Sequence, residues 1–100
     1  MKQAFLNIFL NAIDAMPDGG ILTITSRTNQ SQFIINISDT GCGIHPKDLP
    51  HIFDPFFTKK DQGTGLGLSI THEIIKNHNG KIFVESVLGK GTTFRIELPI

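Results

Sequence analysis

The chain carries one cysteine, Cys42, in 100 residues, and its formal net charge is zero. A lone cysteine excludes an internal disulfide and a multi-cysteine zinc site, and it fits a reducing compartment. Charge balance excludes the broad basic surface that nucleic acid or an anionic membrane requires, because such binding displaces counterions with many clustered Lys and Arg. Any anion site must therefore be local. No run is long and apolar enough to span a bilayer and no signal peptide is visible, so the chain reads as cytosolic. Internal repeats and low-complexity tracts are missing too. What is present, 39% apolar residues, supports one domain with one core and no second.

A capping residue is also lacking where one is expected. Helical spacing is already under way at Gln3 with no Ser, Thr, Asp or Asn ahead of it. The expectation is a piece of a longer protein. The spacing predicts a helix over 3–16, "QAFLNIFLNAIDAM", stopped by Pro17-Asp18-Gly19-Gly20. "ILTITS" and "FIINISD" predict a hairpin joined by Arg27 to Gln32. From Asp39 to Gly65, Pro46, Pro50 and Pro55 interrupt a long loop with a short helix around Lys47 to Phe53; loops of that length are usually functional, often lids. A second helix is expected over 66–78, with Leu66, Ile70 and Ile74 on one stripe and Gly80 as its stop. "KIFVES" and "TTFRIEL" close the chain as a hairpin turned at Gly89-Lys90-Gly91.

Three stretches carry chemistry. On the first helix, Asn7, Asn11 and Asp14 fall within about 60° of one another, with Phe5, Phe9, Ala12, Ile13 and Met16 opposite and Leu6, Ile8 and Leu10 on the flanks. This is either a solvated strip or a stripe of amides that needs partners inside the protein or on a ligand. A carboxamide oxygen is a hard neutral donor, suited to Mg²⁺ already held mainly by phosphates and water. In "SDTGCGI", Asp39 directly follows a β run; it is either the start of a turn or a carboxylate placed to accept from an exocyclic amine, with Gly41 and Gly43 leaving room beside the backbone. In "HIFDPFFTKKDQGTGLG", Phe53, Phe56 and Phe57 form an apolar anchor, or a core satellite under the loop. Lys59 and Lys60, either a solvated surface pair or positive charge placed for an anion, then precede Gly63, Gly65 and Gly67 at the start of a helix, where free amides attract anions. Alone, that glycine run matches no standard phosphate motif: a dinucleotide fingerprint needs glycine where Leu68 stands, and the Gly-Lys-Ser/Thr of a P-loop is absent.

Taken together and in this order, the stretches resemble the ATP-binding catalytic domain of sensor histidine kinases. That group lies within the Bergerat-fold superfamily, which also includes type II topoisomerase, heat-shock 90-type and mismatch-repair ATPases. "NIFLNAIDAM" is similar to the family's N box, "DTGCGI" to its first glycine box, "IFDPFFTKK" to its F box and "GTGLGLSI" to its second glycine box. The tail "HNGKIFVESVLGKGTTFRIELPI" is similar to its closing strands, so the resemblance covers essentially the whole chain.

The resemblance implies an α+β two-layer sandwich, with a mixed, mostly antiparallel sheet packed on helices, and a single ATP-binding domain over residues 1–100. It implies ATP and Mg²⁺ as cofactors, with Asn11 as the metal ligand and Asp39 accepting from the adenine amine. Gly41 and Gly43 would shape the base pocket, and Lys60 would contact phosphate, with Lys59 where the family often has threonine. Gly63, Gly65 and Gly67, with Thr64 and Leu66 between them, would form the lid hinge and phosphate cradle beyond Phe53. The catalytic set would be Asn7, Asn11 and Lys60. Hydrolysing relatives carry a glutamate one turn before the metal-binding asparagine. Asn7 stands there instead, and an amide cannot usefully take a proton, which favours phosphoryl transfer over hydrolysis.

The implied partners are a dimerisation domain bearing the phosphoacceptor histidine and, indirectly, a response regulator; nucleic acid and membrane are not expected to be contacted by this chain. His72-Glu73 resembles the acceptor dipeptide, but Ile75, Lys76 and Asn77 replace what commonly follows, and His72 is read as structural. His45, His51 and His78 lack metal-ligand spacing. The strand that precedes the first helix in the family is missing, which is expected to leave a sheet edge open to swapping. The alternative function is a non-catalytic adenine-nucleotide module or a truncated remnant.

Overall fold

The computed structural model describes residues 2–54 and 67–99. Among these residues, two helices and four strands follow in the order α1 (Lys2–Asp14), β1 (Leu22–Thr28), β2 (Gln32–Asp39), α2 (Gly67–Asn77), β3 (Lys81–Val87) and β4 (Gly91–Pro99), with a 3-10 turn at Leu49–His51. The strands form one sheet in the order β1-β2-β4-β3, and every pairing among the described residues is antiparallel. Both hairpins expected from the sequence form. The two are zipped together by β2 and β4, whose register runs from Gln32 opposite Pro99 to Asp39 opposite Thr92.

Period-two alternation sends one face of the sheet toward the helices. From β2 that face carries Ile35 and Ile37, and from β4 it carries Phe94 and Ile96, all buried. Ala4, Ile8 and Ala12, spaced four apart on α1, cover it. This corrects the expected facing of α1. The core stripe is Ala4–Ile8–Ala12, Phe5 and Phe9 are half-buried on its flank with ring centroids 6.4 Å apart, and Ile13 joins Leu6 and Leu10 on the exposed side. An apolar residue stands at nearly every angle around this helix, so periodicity alone could not choose. Small side chains won the core stripe, which lets the helix lie close to the sheet.

On α2 the buried positions are Thr71 and Ile75, with Leu68 and Ile74 half-buried, whereas Ile70 is exposed. The expected stripe was therefore rotated, because a buried threonine counts as polar in a reading of apolar period. Leu66, its first member, lies outside the described residues. The stop of α2 is also shared differently: Asn79 takes the positive φ of 60°, while the Gly80 amide reaches back 2.9 Å to the Ile75 carbonyl. Gly80 is needed for closeness, since a Cβ there would lie 2.8 Å from the Glu97 carbonyl oxygen. The imidazole Nδ1 of His78 sits 2.7 Å from the Ile74 carbonyl, which can only accept, so this nitrogen carries the proton.

The edges are β1 and β3. No helix among the described residues is long and apolar enough to cross a membrane.

Candidate functional site

The end of β2 delivers Asp39 to the helix side of the sheet, nearly buried at 7% exposure. Two backbone amides converge on one of its oxygens: Gly41 N–H donates to Oδ1 at 2.8 Å and Thr92 N–H donates to the same atom at 3.3 Å. The first bond is an Asx-type turn; the second comes from the neighbouring strand. Together they fix the carboxylate plane. Oδ2 has no hydrogen-bond partner among the described residues and is not sealed from solvent. A carboxylate anchored through one oxygen and open at the other is an acceptor aimed outward, suited to an N–H donor of a bound molecule.

The segment after Asp39 is pinned on two sides. Toward α1, Cys42 N–H donates to the Ala15 carbonyl at 3.0 Å, and a Cβ on Gly41 would lie 2.5 Å from that same oxygen. Toward the β3–β4 hairpin, Gly89 N–H donates to the Cys42 carbonyl at 2.7 Å, and Gly43, at φ +74°, presses against the Val87 carbonyl. The space beside both glycines is thus taken by the chain's own backbone. Their contribution to the site is to hold its wall in place. Thr40 adds a third tie, accepting from Ile21 N–H at 3.0 Å.

Through the Ala15 contact, the C-terminal turn of α1 abuts the Asp39 segment. Asn11 lies one helical turn, about 5.4 Å, before Ala15 and is half-buried. Asn7 lies one turn further back, also half-buried, and its Oδ1 accepts from Gln3 Nε2 at 3.0 Å. Along α1, Asn11 and Asn7 thus stand one and two turns before the residue that touches the Asp39 segment. Among the described residues no group of three or more His, Cys, Asp or Glu could hold a metal on its own. A cation here would need most of its ligands from the bound molecule, which is the situation a single neutral carboxamide oxygen suits.

Phe53 closes the described part of the loop. Its ring packs edge-on to Phe94, with centroids 6.5 Å apart, and lies 5.3 Å from the ring of His72. With Ile52 buried beside it, this anchors the chain before Asp54 to the core. Gly67 is the first residue of α2. Lys59, Lys60, Gly63, Thr64, Gly65 and Leu66, with Phe56 and Phe57, lie outside the described residues. His72 is exposed and has Phe53 as its ring neighbour, while the Nδ1 of exposed His51 pairs with Asp54 Oδ2 at 3.0 Å.

Two residues near the site carried no signal of their own in the motif reading: Ser86 and Thr92, whose hydroxyls lie 3.0 Å apart on the helix side of the sheet. The available clue was positional. Each stands at an inward position of a strand where its alternating neighbours, Ile82 and Val84 or Phe94 and Ile96, are apolar. On the opposite face, an open cleft of about 270 Å³ is lined by Asn36, Phe83, Val84, Glu85, Thr93 and Arg95, with the Arg95 guanidinium 4.9 Å above the Phe83 ring. It takes no part in the Asp39 site.

Comparison with known proteins gives a consistent picture. The family model described as "Histidine kinase-, DNA gyrase B-, and HSP90-like ATPase" matches residues 1–100. Sporulation kinase E of Bacillus subtilis (strain 168) is 46% identical over 101 residues, which is all of this chain and 14% of that protein. Sensor histidine kinase ZraS of Escherichia coli (strain K12) is 42% identical over 100 residues, again all of this chain and 22% of that protein. The chain thus spans under a quarter of the length of these curated relatives. Among solved structures, a mycobacterial sensor histidine kinase, MprB, superposes with a TM-score of 0.87 at 29% identity, covering 97% of this chain and 70% of that one. The catalytic domain of histidine kinase ThkA, in a nucleotide-free form, gives 0.85 at 40% identity, covering 98% and 64%.

Proposed function

This chain belongs to the histidine kinase-, DNA gyrase B- and HSP90-like ATPase family and is homologous to the catalytic domains of sensor histidine kinases, and on that premise we propose that it binds Mg-ATP and passes the γ-phosphoryl group to a histidine on a separate dimerisation domain. The reaction serves two-component signalling, with a response regulator as the downstream acceptor. The carrying observation is Asp39, held through Oδ1 by two amides with Oδ2 left for a ligand donor. Adenine offers such a donor in its amine; guanine presents a carbonyl at the same edge.

Asn11 would hold Mg²⁺, which when bound neutralises charge on the phosphates. Asn7 orients and does not take a proton, so the position one turn before Asn11 offers water no base. Lys60, with Lys59 beside it, would meet phosphate, and Gly63, Thr64, Gly65, Leu66 and Gly67 would wrap it at the N-terminus of α2, where unpaired amides favour an anion. Gly41 and Gly43 keep the base-side wall in register, and Phe53 anchors the near end of the lid. Transfer then needs only an acceptor brought in line, which is the work of the partner domain.

The test is incorporation of labelled γ-phosphate into a separately supplied dimerisation domain carrying its histidine. Acid-labile label on that domain is expected at high concentration, since two free pieces lack the millimolar effective concentration of a linker. It should vanish with Asn11→Ala and survive His72→Ala. Label on His72, or brisk hydrolysis without acceptor, contradicts the proposal. ATP binding with no transfer to any supplied acceptor would leave a nucleotide-binding module.

A further inference from the structure

Among the contacts that tie the β3–β4 hairpin to the Asp39 segment, one is made by a side-chain hydroxyl. Ser86 is half-buried on the helix side of β3, and its Oγ lies 2.7 Å from Ile44 N, 3.0 Å from the Gly91 carbonyl oxygen and 3.0 Å from Thr92 Oγ1. The proton positions follow from what each partner can do. The Gly91 carbonyl can only accept, so it takes the single Ser86 proton. Ile44 N–H can only donate, so it occupies one lone pair of Ser86. Thr92 must then donate its own hydroxyl proton into the other. Ser86 is saturated, and Thr92 Oγ1 is left with lone pairs alone.

Thr92 sits directly opposite Asp39 in the β2–β4 register, and directly paired residues project to the same face. Its amide is one of the two that orient Asp39. At this end of the sheet the paired, nearly buried residues Asp39 and Thr92 therefore carry acceptors on one face, Oδ2 and Oγ1, with no competing hydroxyl donor from Thr92. Such a pair accepts from an amine and repels a carbonyl. We propose that Ser86 is a positioning residue for base selection: by consuming the Thr92 proton and tying Ile44 to the hairpin, it keeps the base-facing edge acceptor-only. This role rests on the adenine-nucleotide reading above. Without the Ser86 hydroxyl, the Ile44 amide loses its acceptor, and the Thr92 proton is free to turn toward the ligand, where it can meet a guanine carbonyl.

Ser86→Thr and Ser86→Val test this as a pair of one shape that differs in the hydroxyl. ATP and GTP are titrated calorimetrically into this chain and both variants, with thermal unfolding followed in parallel. Ser86→Thr should keep the parent preference for ATP over GTP. Ser86→Val should weaken ATP binding by about 3- to 10-fold and narrow the ATP/GTP preference by about 5-fold or more. A parent-like preference in folded Ser86→Val overturns the role whatever its melting temperature, because a merely structural serine moves melting and leaves selectivity alone. Should Ser86→Val not fold, amide exchange of Ile44 in the parent decides: protection supports the hydroxyl tie, and exchange at a free-loop rate refutes it. A parent chain that binds ATP and GTP equally, or neither, removes the nucleotide reading itself and this role with it. That outcome is distinct from a parent preference that persists in Ser86→Val.

Discussion

The β1–β2 and β3–β4 hairpins have the same antiparallel form and hold their turns in opposite ways. The first closes on itself. Asn29 Oδ1 accepts from Ser31 N–H at 2.9 Å and Gln32 N–H at 2.8 Å, and six of the seven residues of β1 are exposed. The second closes on something else: Gly89 donates to Cys42, Ser86 accepts from Ile44, and Gly43 and Gly91 come into close contact with Val87 and Asp39. A hairpin built for architecture satisfies its own amides. One that shapes a site spends them on a neighbouring segment, and its glycines mark where backbone meets backbone.

The largest expected difference lies at Gly91. Its φ is +136° and a Cβ would run into the Asp39 carbonyl oxygen. Gly91→Ala should destabilise the fold by about 2–5 kcal/mol, combining backbone strain with overpacking, and nucleotide affinity should fall with it. Urea unfolding alongside nucleotide titration reads both. A variant as stable as the parent would show that the two hairpins are not so different. Asn29→Ala should cost about 1–2 kcal/mol, the loss of one acceptor serving two amides, and leave nucleotide affinity within about two-fold. A large loss of affinity there would break the comparison from the other side. Smallest is Ile24→Thr on the exposed edge strand, expected within about 0.5 kcal/mol in thermal unfolding; a larger loss would mean that β1 is covered by something in solution.

The same contrast separates what was legible in the sequence from what was not. Strands β1 to β4 were read to within about two residues, because period-two alternation and turn residues are local signals. Both helices were found for the same reason, yet their facing was not. Ile13 and Ile70 turned out exposed and Thr71 buried, since burial depends on which side of a helix the sheet comes to lie. The β2–β4 pairing that joins the hairpins links residues 32–39 to 92–99, and nothing local encodes it. Asp39 was legible from its place at a strand end before Gly41 and Gly43. The reason for those glycines was not: they make room for Ala15 and Val87, partners distant in sequence. Ser86 and Thr92 were hidden because a hydroxyl on a strand has no motif; only its three-dimensional partners give it a role.

Asp39 is where these strands of argument meet, and one titration bears on it most directly. ATP and GTP are titrated by calorimetry into this chain and into Asp39→Asn, which keeps the shape and replaces one acceptor oxygen by a donor. The expected result is strong preference for ATP in the parent and a fall in ATP affinity of roughly 10- to 150-fold in Asp39→Asn, the loss of a charge-assisted hydrogen bond. Equal affinity of the parent for ATP and GTP, or an Asp39→Asn variant that binds ATP as the parent does, would contradict the account.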